Sequence, residues 1–180
     1  NITNLSALNV PDNFGGAIKA QSWFTPMDGP GNKKVYAYNY DAVNQFQNAR
    51  FGTLTTSTPG NYTAALSSSF SESVQTSGGL SAYDKNGNIS QLKRTNKNGT
   101  TIADYNYQYA VGKNQLTSIT GSPEAINYLY NDIGQMTSQT EGTKVTSVTY
   151  TVSGLVKTVT AEGTHGYSLY YDDRGNMCKR

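Results

Sequence analysis

Tyr83-Asp84-Lys85-Asn86-Gly87-Asn88-Ile89 and Tyr171-Asp172-Asp173-Arg174-Gly175-Asn176-Met177 are one pattern written twice. An aspartate at the first position of a turn caps backbone amides, and a glycine at the fourth takes the positive φ that starts a G1 bulge. The segment therefore reads as a chain reversal with a strand on each side. Two looser copies are Tyr130-Asn131-Asp132-Ile133-Gly134-Gln135-Met136 and Tyr40-Asp41-Ala42-Val43-Asn44-Gln45-Phe46. Asn44 stands there in the glycine place, and asparagine tolerates that conformation. An apolar residue follows each last tyrosine by six: Phe46, Ile89, Met136 and Met177. It opens the return strand.

The strands before these turns alternate. Tyr36, Tyr38 and Tyr40 flank Ala37 and Asn39, Tyr105, Tyr107 and Tyr109 flank Asn106 and Gln108, and Tyr128 and Tyr130 flank Leu129. Period two puts each tyrosine set on one face of a strand, and Tyr, Val and Thr suit a half-buried pleated surface. The last tyrosines fall at 40, 83, 109, 130 and 171. Tyr62 and Val152 halve the two long gaps, and a step back from Tyr40 reaches Ile18. The unit is then about 21 residues, present six to eight times. Gly52, Gly99, Gly121, Gly142 and Gly163 are read as closing the units. After Tyr109 the turn Ala110-Val111-Gly112-Lys113-Asn114 is one residue longer. After Tyr150 the spacing predicts a two-residue hairpin, Ser153-Gly154, between Val152 and Leu155. Residues 53–81 are Ser/Thr/Gly-rich and read as degenerate or partly loop. Residues 1–17 carry no clear pattern, so the repeat region is expected over 18–180.

Composition agrees with sheet. Leu, Ile, Val and Phe are 32 of 180 residues, whereas Ser, Thr, Asn and Gly are 75. So low an aliphatic content borders on that of disordered chains. The net charge of only +2 and the 14 tyrosines argue against disorder. A folded chain of this kind buries tyrosine and β-branched residues in sheet. The charge is too small and too mixed for a nucleic-acid footprint. No run approaches the ~18 apolar residues of a membrane span, and the first ten residues show no signal peptide. One cysteine, Cys178, excludes an internal disulfide. No cofactor motif is present, and no cofactor is expected.

The motif Tyr-x-Tyr-Asp-x-x-Gly-Asn, followed by an apolar residue at about twenty residues per unit, resembles the RHS/YD-repeat family. The resemblance covers roughly residues 18–180. It implies an all-β fold of consecutive antiparallel hairpins joined into one curled sheet strip, which in large members becomes a hollow shell. It implies a secreted or cell-surface bacterial protein, wall-associated or related to polymorphic toxins, whose repeats contain or present something else. The partners it implies are the remainder of a larger YD-repeat protein or an enclosed domain. The conserved core segment of large members is not found in these residues. With the stop at Arg180 just after a turn, this leads us to expect a piece of a longer protein, with edge-to-edge self-association at its open edges.

Catalytic motifs are weak. Asp84-x-Asn86-x-Asn88 imitates a calcium loop, but Gly87 falls at position four and Thr95 at twelve, where an EF-hand needs glycine at six and glutamate at twelve. Asp172 and Asp173 are sequence neighbours, better read as a cap and a solvated side chain than as a glycosidase pair. His165, the single histidine, lacks a marked nucleophile partner. We therefore expect no enzyme, no metal and a scaffold role. The alternative is a carbohydrate- or protein-binding module. There Trp23, Tyr36, Tyr38, Tyr40, Tyr105, Tyr107, Tyr109, Tyr128 and Tyr130 would face a ligand, such as a cell-surface glycan. The plainer reading has these rings filling the sheet face by cross-strand pairing.

Overall fold

The computed structural model describes residues 12–28, 32–58, 61–121, 125–162 and 165–179. Residues 1–11 of the unpatterned segment, Gly163 and Arg180 lie outside the described residues. The chain is all-β, with a 3-10 turn at Pro26–Asp28. Strands β1 to β7 are Ala20–Trp23, Asn32–Tyr40, Phe46–Thr58, Asn61–Ser73, Gln91–Thr95, Thr101–Tyr109 and Leu116–Thr120. Strands β8 to β14 are Ile126–Tyr130, Met136–Glu141, Lys144–Tyr150, Val156–Ala161, His165–Ser168, Tyr170–Tyr171 and Met177–Lys179. From β1 to β12 each strand pairs with its neighbour in sequence, and β13 pairs with β14. The pairings are antiparallel, as consecutive hairpins require. Two compact units divide within β6, residues 1–104 and 105–180.

In residues 1–104 the long strands β3 and β4 occupy most of the stretch read as degenerate. Threonine is β-branched and suits a strand, and here it alternates with core residues: Leu54 pairs with Ala64 while Thr53 and Thr55 flank it. Val35, Ala37 and Leu54 form the buried cluster, with Ala20, Ala64 and Leu66 packed against it. Gly52 closes no unit. It lies inside β3 opposite Val35 and Leu66, where a Cβ would run into the Ala65 carbonyl oxygen. The intervening residues Tyr36 and Tyr38 lie on the opposite face of β2. There Trp23 stacks on Tyr36 with ring centroids 5.8 Å apart, Tyr36 on Tyr38 at 6.1 Å, and Phe51 meets Phe70 at 5.1 Å.

In residues 105–180 the hairpins follow the expected period. Turns begin at Ala110, Asn131, Thr151 and Asp172. In residues 1–104 they begin at Asp41, Thr76, Asp84 and Asn96, without a fixed spacing. Tyr62 and Val152 do not mark units. Tyr62 lies in β4 opposite Thr56, and Val152 projects from a turn, fully exposed.

Candidate functional site

The turns share one hydrogen-bond scheme. At Asp84 the backbone amide donates to the Asn88 carbonyl at 2.9 Å, and the Gly87 amide donates back to the Asp84 carbonyl at 3.0 Å. Asp84 Oδ1 accepts the amides of Asn86 and Asn88 at 2.8 and 2.9 Å, and Oδ2 accepts the Asn88 side-chain amide at 2.8 Å. Asp172 repeats each bond with Arg174, Gly175 and Asn176. Asp41 accepts from Val43 and Gln45, and its second oxygen takes the Ser81 hydroxyl at 3.1 Å. Asn131 accepts the Gln135 amide at 2.9 Å. Gly87, Gly134, Gly175 and Asn44 all hold positive φ, 82°, 87°, 82° and 66°. The side-chain oxygen thus satisfies amides that the reversal strips of strand partners.

Turns not expected from the sequence use the same scheme with other donors and acceptors. Asn96 Oδ1 accepts from Asn98 and Thr100, with Gly99 at the fourth place rather than closing a unit. Thr76 opens another, with Gly79 donating to its carbonyl at 2.9 Å. Asn13 Oδ1 accepts the amides of Gly15 and Ala17, so the scheme reaches back into the segment read as unpatterned. The predicted two-residue hairpin at Ser153-Gly154 is corrected. Thr151 donates to the Leu155 carbonyl at 2.8 Å and its Oγ1 accepts the Leu155 amide, so Thr151–Leu155 is the five-residue turn with threonine in the aspartate place. The longer turn at Ala110 closes on Gln115, as its extra residue requires.

The last tyrosine of a unit does two things. Its Cα faces the residue that opens the return strand, in the pairs Tyr40 with Phe46, Tyr109 with Leu116, Tyr130 with Met136, Tyr150 with Val156 and Tyr171 with Met177. At Tyr40, Tyr130, Tyr150 and Tyr171 its hydroxyl reaches back to a preceding segment of the chain. Tyr130 donates to the Leu116 carbonyl at 2.8 Å, Tyr150 to Met136 at 2.6 Å, and Tyr171 to Val156 at 2.7 Å. Tyr40 donates in the same way to Ile18, the residue after the Asn13 turn, at 2.9 Å. These contacts span 14 to 22 residues, so no local pattern announces them. A second contact joins neighbouring turns. Gln135 Nε2 donates to the Gly154 carbonyl at 2.9 Å, and Leu155 lies beside Gly175.

Every tyrosine singled out as ligand-facing is half-buried, as is Trp23. Trp23, Tyr36, Tyr38 and Tyr40 lie in ring contacts within residues 1–104, and Tyr105 meets Tyr107 edge-on at 6.3 Å. Tyr128 sits two residues before Tyr130 in β8. Burial raises the hydroxyl pKa of Tyr36, Tyr38, Tyr83 and Tyr130 above the usual value. Tyr170 is more open than these rings, 56% exposed. It borders a hollow of 380 Å³ with Lys157, Thr158, Ser168 and Leu169. Among the described residues no cluster of three His, Cys, Asp or Glu side chains is placed to hold a metal, and no helix is long and apolar enough to cross a membrane.

The Asn88 side chain and then its amide hold the Asp84 carboxyl below the usual range, and Asn176 does the same for Asp172. A depressed carboxyl stabilises the fold above its unfolded pKa of about 3.9, and that contribution is lost as pH falls through the lower folded value. The raised tyrosines act in the opposite sense: their contribution is full below about pH 10 and is lost as pH rises through their folded pKa values. Urea midpoints measured against pH are expected to show a plateau between these limits. The acid limb is expected to flatten in an Asp84→Asn/Asp172→Asn double variant; an unchanged acid limb would contradict this account.

No protein-family model matches the chain, and no curated protein matches its sequence. Among solved structures it is similar to the one described as the crystal structure of TcdB2-TccC3-TEV. The identity is 14% and the TM-score 0.48, over 87% of this chain and 10% of that one. The chain thus spans about a tenth of the length of the protein it matches.

Proposed function

We propose that the chain is a non-catalytic scaffold segment of an RHS/YD-repeat protein. Its hairpins form part of a sheet wall that encloses or presents another domain. The observation that carries this reading is where the polar chemistry of the repeat goes. The Asp84, Asp172 and Asn131 oxygens are spent on turn amides, and the Tyr130, Tyr150 and Tyr171 hydroxyls on carbonyls of the neighbouring hairpin. Groups engaged in this way hold a wall together and are not presented to a substrate. The partner is the remainder of a larger YD-repeat protein or the domain it encloses. We place the protein outside the cell or on the surface of a bacterium, following the family it resembles. The test is a Tyr38→Ala/Tyr107→Ala variant. It is expected to lose cooperative thermal unfolding, while added wall polysaccharide leaves the parent chain's Tm and Trp23 emission unchanged. A folded double variant that has lost glycan binding would overturn the scaffold reading.

One observation favours a second reading, carbohydrate binding at Tyr170. The partly exposed Tyr170 ring, with the Lys179 ammonium 5.7 Å from its centroid, borders one hollow together with the hydroxyls of Thr158 and Ser168 and with Lys157. A polysaccharide that raises Tm in the parent and not in Tyr170→Ala would select it.

A further inference from the structure

The turns that follow the tyrosines spend their polar groups on backbone amides and carbonyls. At the opposite ends of two hairpins in residues 136–168, charged groups are left over. Gln139, Thr146, Ala161 and His165 are register partners across β9, β10, β11 and β12, so they share one sheet face. Glu141 and Lys144 lie two places nearer the turn on that face and oppose each other. With Glu162 these side chains line a hollow of 190 Å³. Among the described residues no ion pair joins Glu141, Glu162 and Lys144 to one another, whereas Lys93 pairs with Asp104 and Arg94 with Glu72 elsewhere in the chain. Glu162 also stands in a costly place. Its amide donates to the Val145 carbonyl at 2.9 Å, and its φ is 52°. The first turn residue of the neighbouring hairpin, Gly142, holds φ 56°, and glycine meets that demand without a Cβ. Asparagine tolerates the same region at Asn44; a glutamate there lowers stability, and its carboxylate borders the hollow.

We propose that this hollow binds a small diamino monocarboxylic acid, an amino acid with a second ammonium group. The charges are complementary. The protein offers two carboxylates and one ammonium, and the ligand offers two ammonium groups and one carboxylate. Glu141 and Glu162 accept from the ammonium groups, and Lys144 donates to the carboxylate. Gln139 and Thr146 supply neutral hydrogen-bonding groups on the same face. Ala161, between Thr146 and His165 in the row, leaves the floor open. The hollow is smaller than the roughly 300 Å³ at which drug-sized pockets begin, which suits a ligand of amino-acid size. Its groups are partly or fully open to solvent, so each ion pair is weak and the binding is selective through the number of charges matched. The inference stands on this charge arrangement and does not require the scaffold reading.

The test adds L-lysine to the full ¹⁵N-labelled chain at neutral pH and fixed ionic strength. Saturable amide shifts centred on residues 139–146 and on Glu162 and His165 are expected. Cadaverine, which lacks the carboxylate, and ε-aminocaproate, which lacks the second ammonium, are expected to bind about threefold to fivefold more weakly, the upper part of the range for one exposed ion pair. Glu162→Gly is expected to weaken lysine binding by a similar factor while Tm stays level or rises, because the backbone demand is then met by glycine. Absent or non-saturating shifts, shifts centred elsewhere, equal binding of the three ligands, or unchanged binding by Glu162→Gly would each overturn the proposal. A Glu162→Gly chain with a lowered Tm would show that the glutamate serves the turn, and would overturn it as well.

Discussion

Leu54→Ala is expected to lower stability by about 2–5 kcal/mol, the range for emptying a fully buried aliphatic site. Leu54 and Val35 are the largest side chains with no solvent exposure, and the cluster around them is otherwise built from alanine and one more leucine. A small cluster has few neighbours able to move into a void, so the cavity penalty adds to the lost transfer energy. Strand β3 amplifies the effect because Leu54 pairs with Lys33 on one side and Ala64 on the other. Leu129→Ala is the control. Leu129 is 65% exposed on β8, and its loss is expected to stay within about 0.5 kcal/mol. Urea unfolding of both variants checks the contrast. A loss under about 1 kcal/mol for Leu54→Ala would show that this cluster is not the core.

The second large effect is expected from removing the tyrosine hydroxyls as a set. The triple variant Tyr130→Phe/Tyr150→Phe/Tyr171→Phe should lose about 1–3 kcal/mol, from three net hydrogen bonds, each only partly shielded from water. The rings remain, so packing is kept and the loss reports the hydroxyl contacts. The contacts form a chain: Met136 faces Tyr130, which donates to Leu116, and itself accepts from Tyr150. Linked neighbours couple, so the triple loss is expected to differ from the sum of the singles. Tyr128→Phe is the control, since its hydroxyl makes no hydrogen bond among the described residues. Loss of stability equal in the control and the triple variant would refute the hydroxyl contact as a structural device.

Much of the turn chemistry was legible in the sequence because it is local. The bonds of Asp84 and Asp172 close within four residues, so residue type and spacing suffice to predict them. The same locality explains the misses. Thr151, Thr76, Asn96 and Asn13 open turns of the same scheme, but none of them is an aspartate following a tyrosine. A threonine hydroxyl or an asparagine amide can supply the acceptor without that signature. The regular period hid the irregular half. Residues 110 to 172 keep near-equal spacing between turns, whereas residues 41 to 96 do not. Two thirteen-residue strands there replace the shorter hairpins.

The sequence by itself determined that the chain is strand and reversal. Alternation, glycine and aspartate act over two to five residues, and each fixes a local torsion or satisfies a local amide. For Tyr40, Tyr130 and Tyr171 it also determined which residue opens the return strand opposite them, since loop length sets that register, whereas at Tyr150 the expected two-residue hairpin gave way to a longer turn. Only the tertiary structure decided which apolar face is deeply covered. Strand β2 is apolar on both sides, Val35 and Ala37 against Tyr36 and Tyr38, and the first pair is buried while the second is half-exposed. Period two announces two faces without ranking them. Only the tertiary structure decided, too, where the tyrosine hydroxyls go. Their acceptors are backbone carbonyls, which every residue type carries alike, so the choice among them rests on how one hairpin lies against the next.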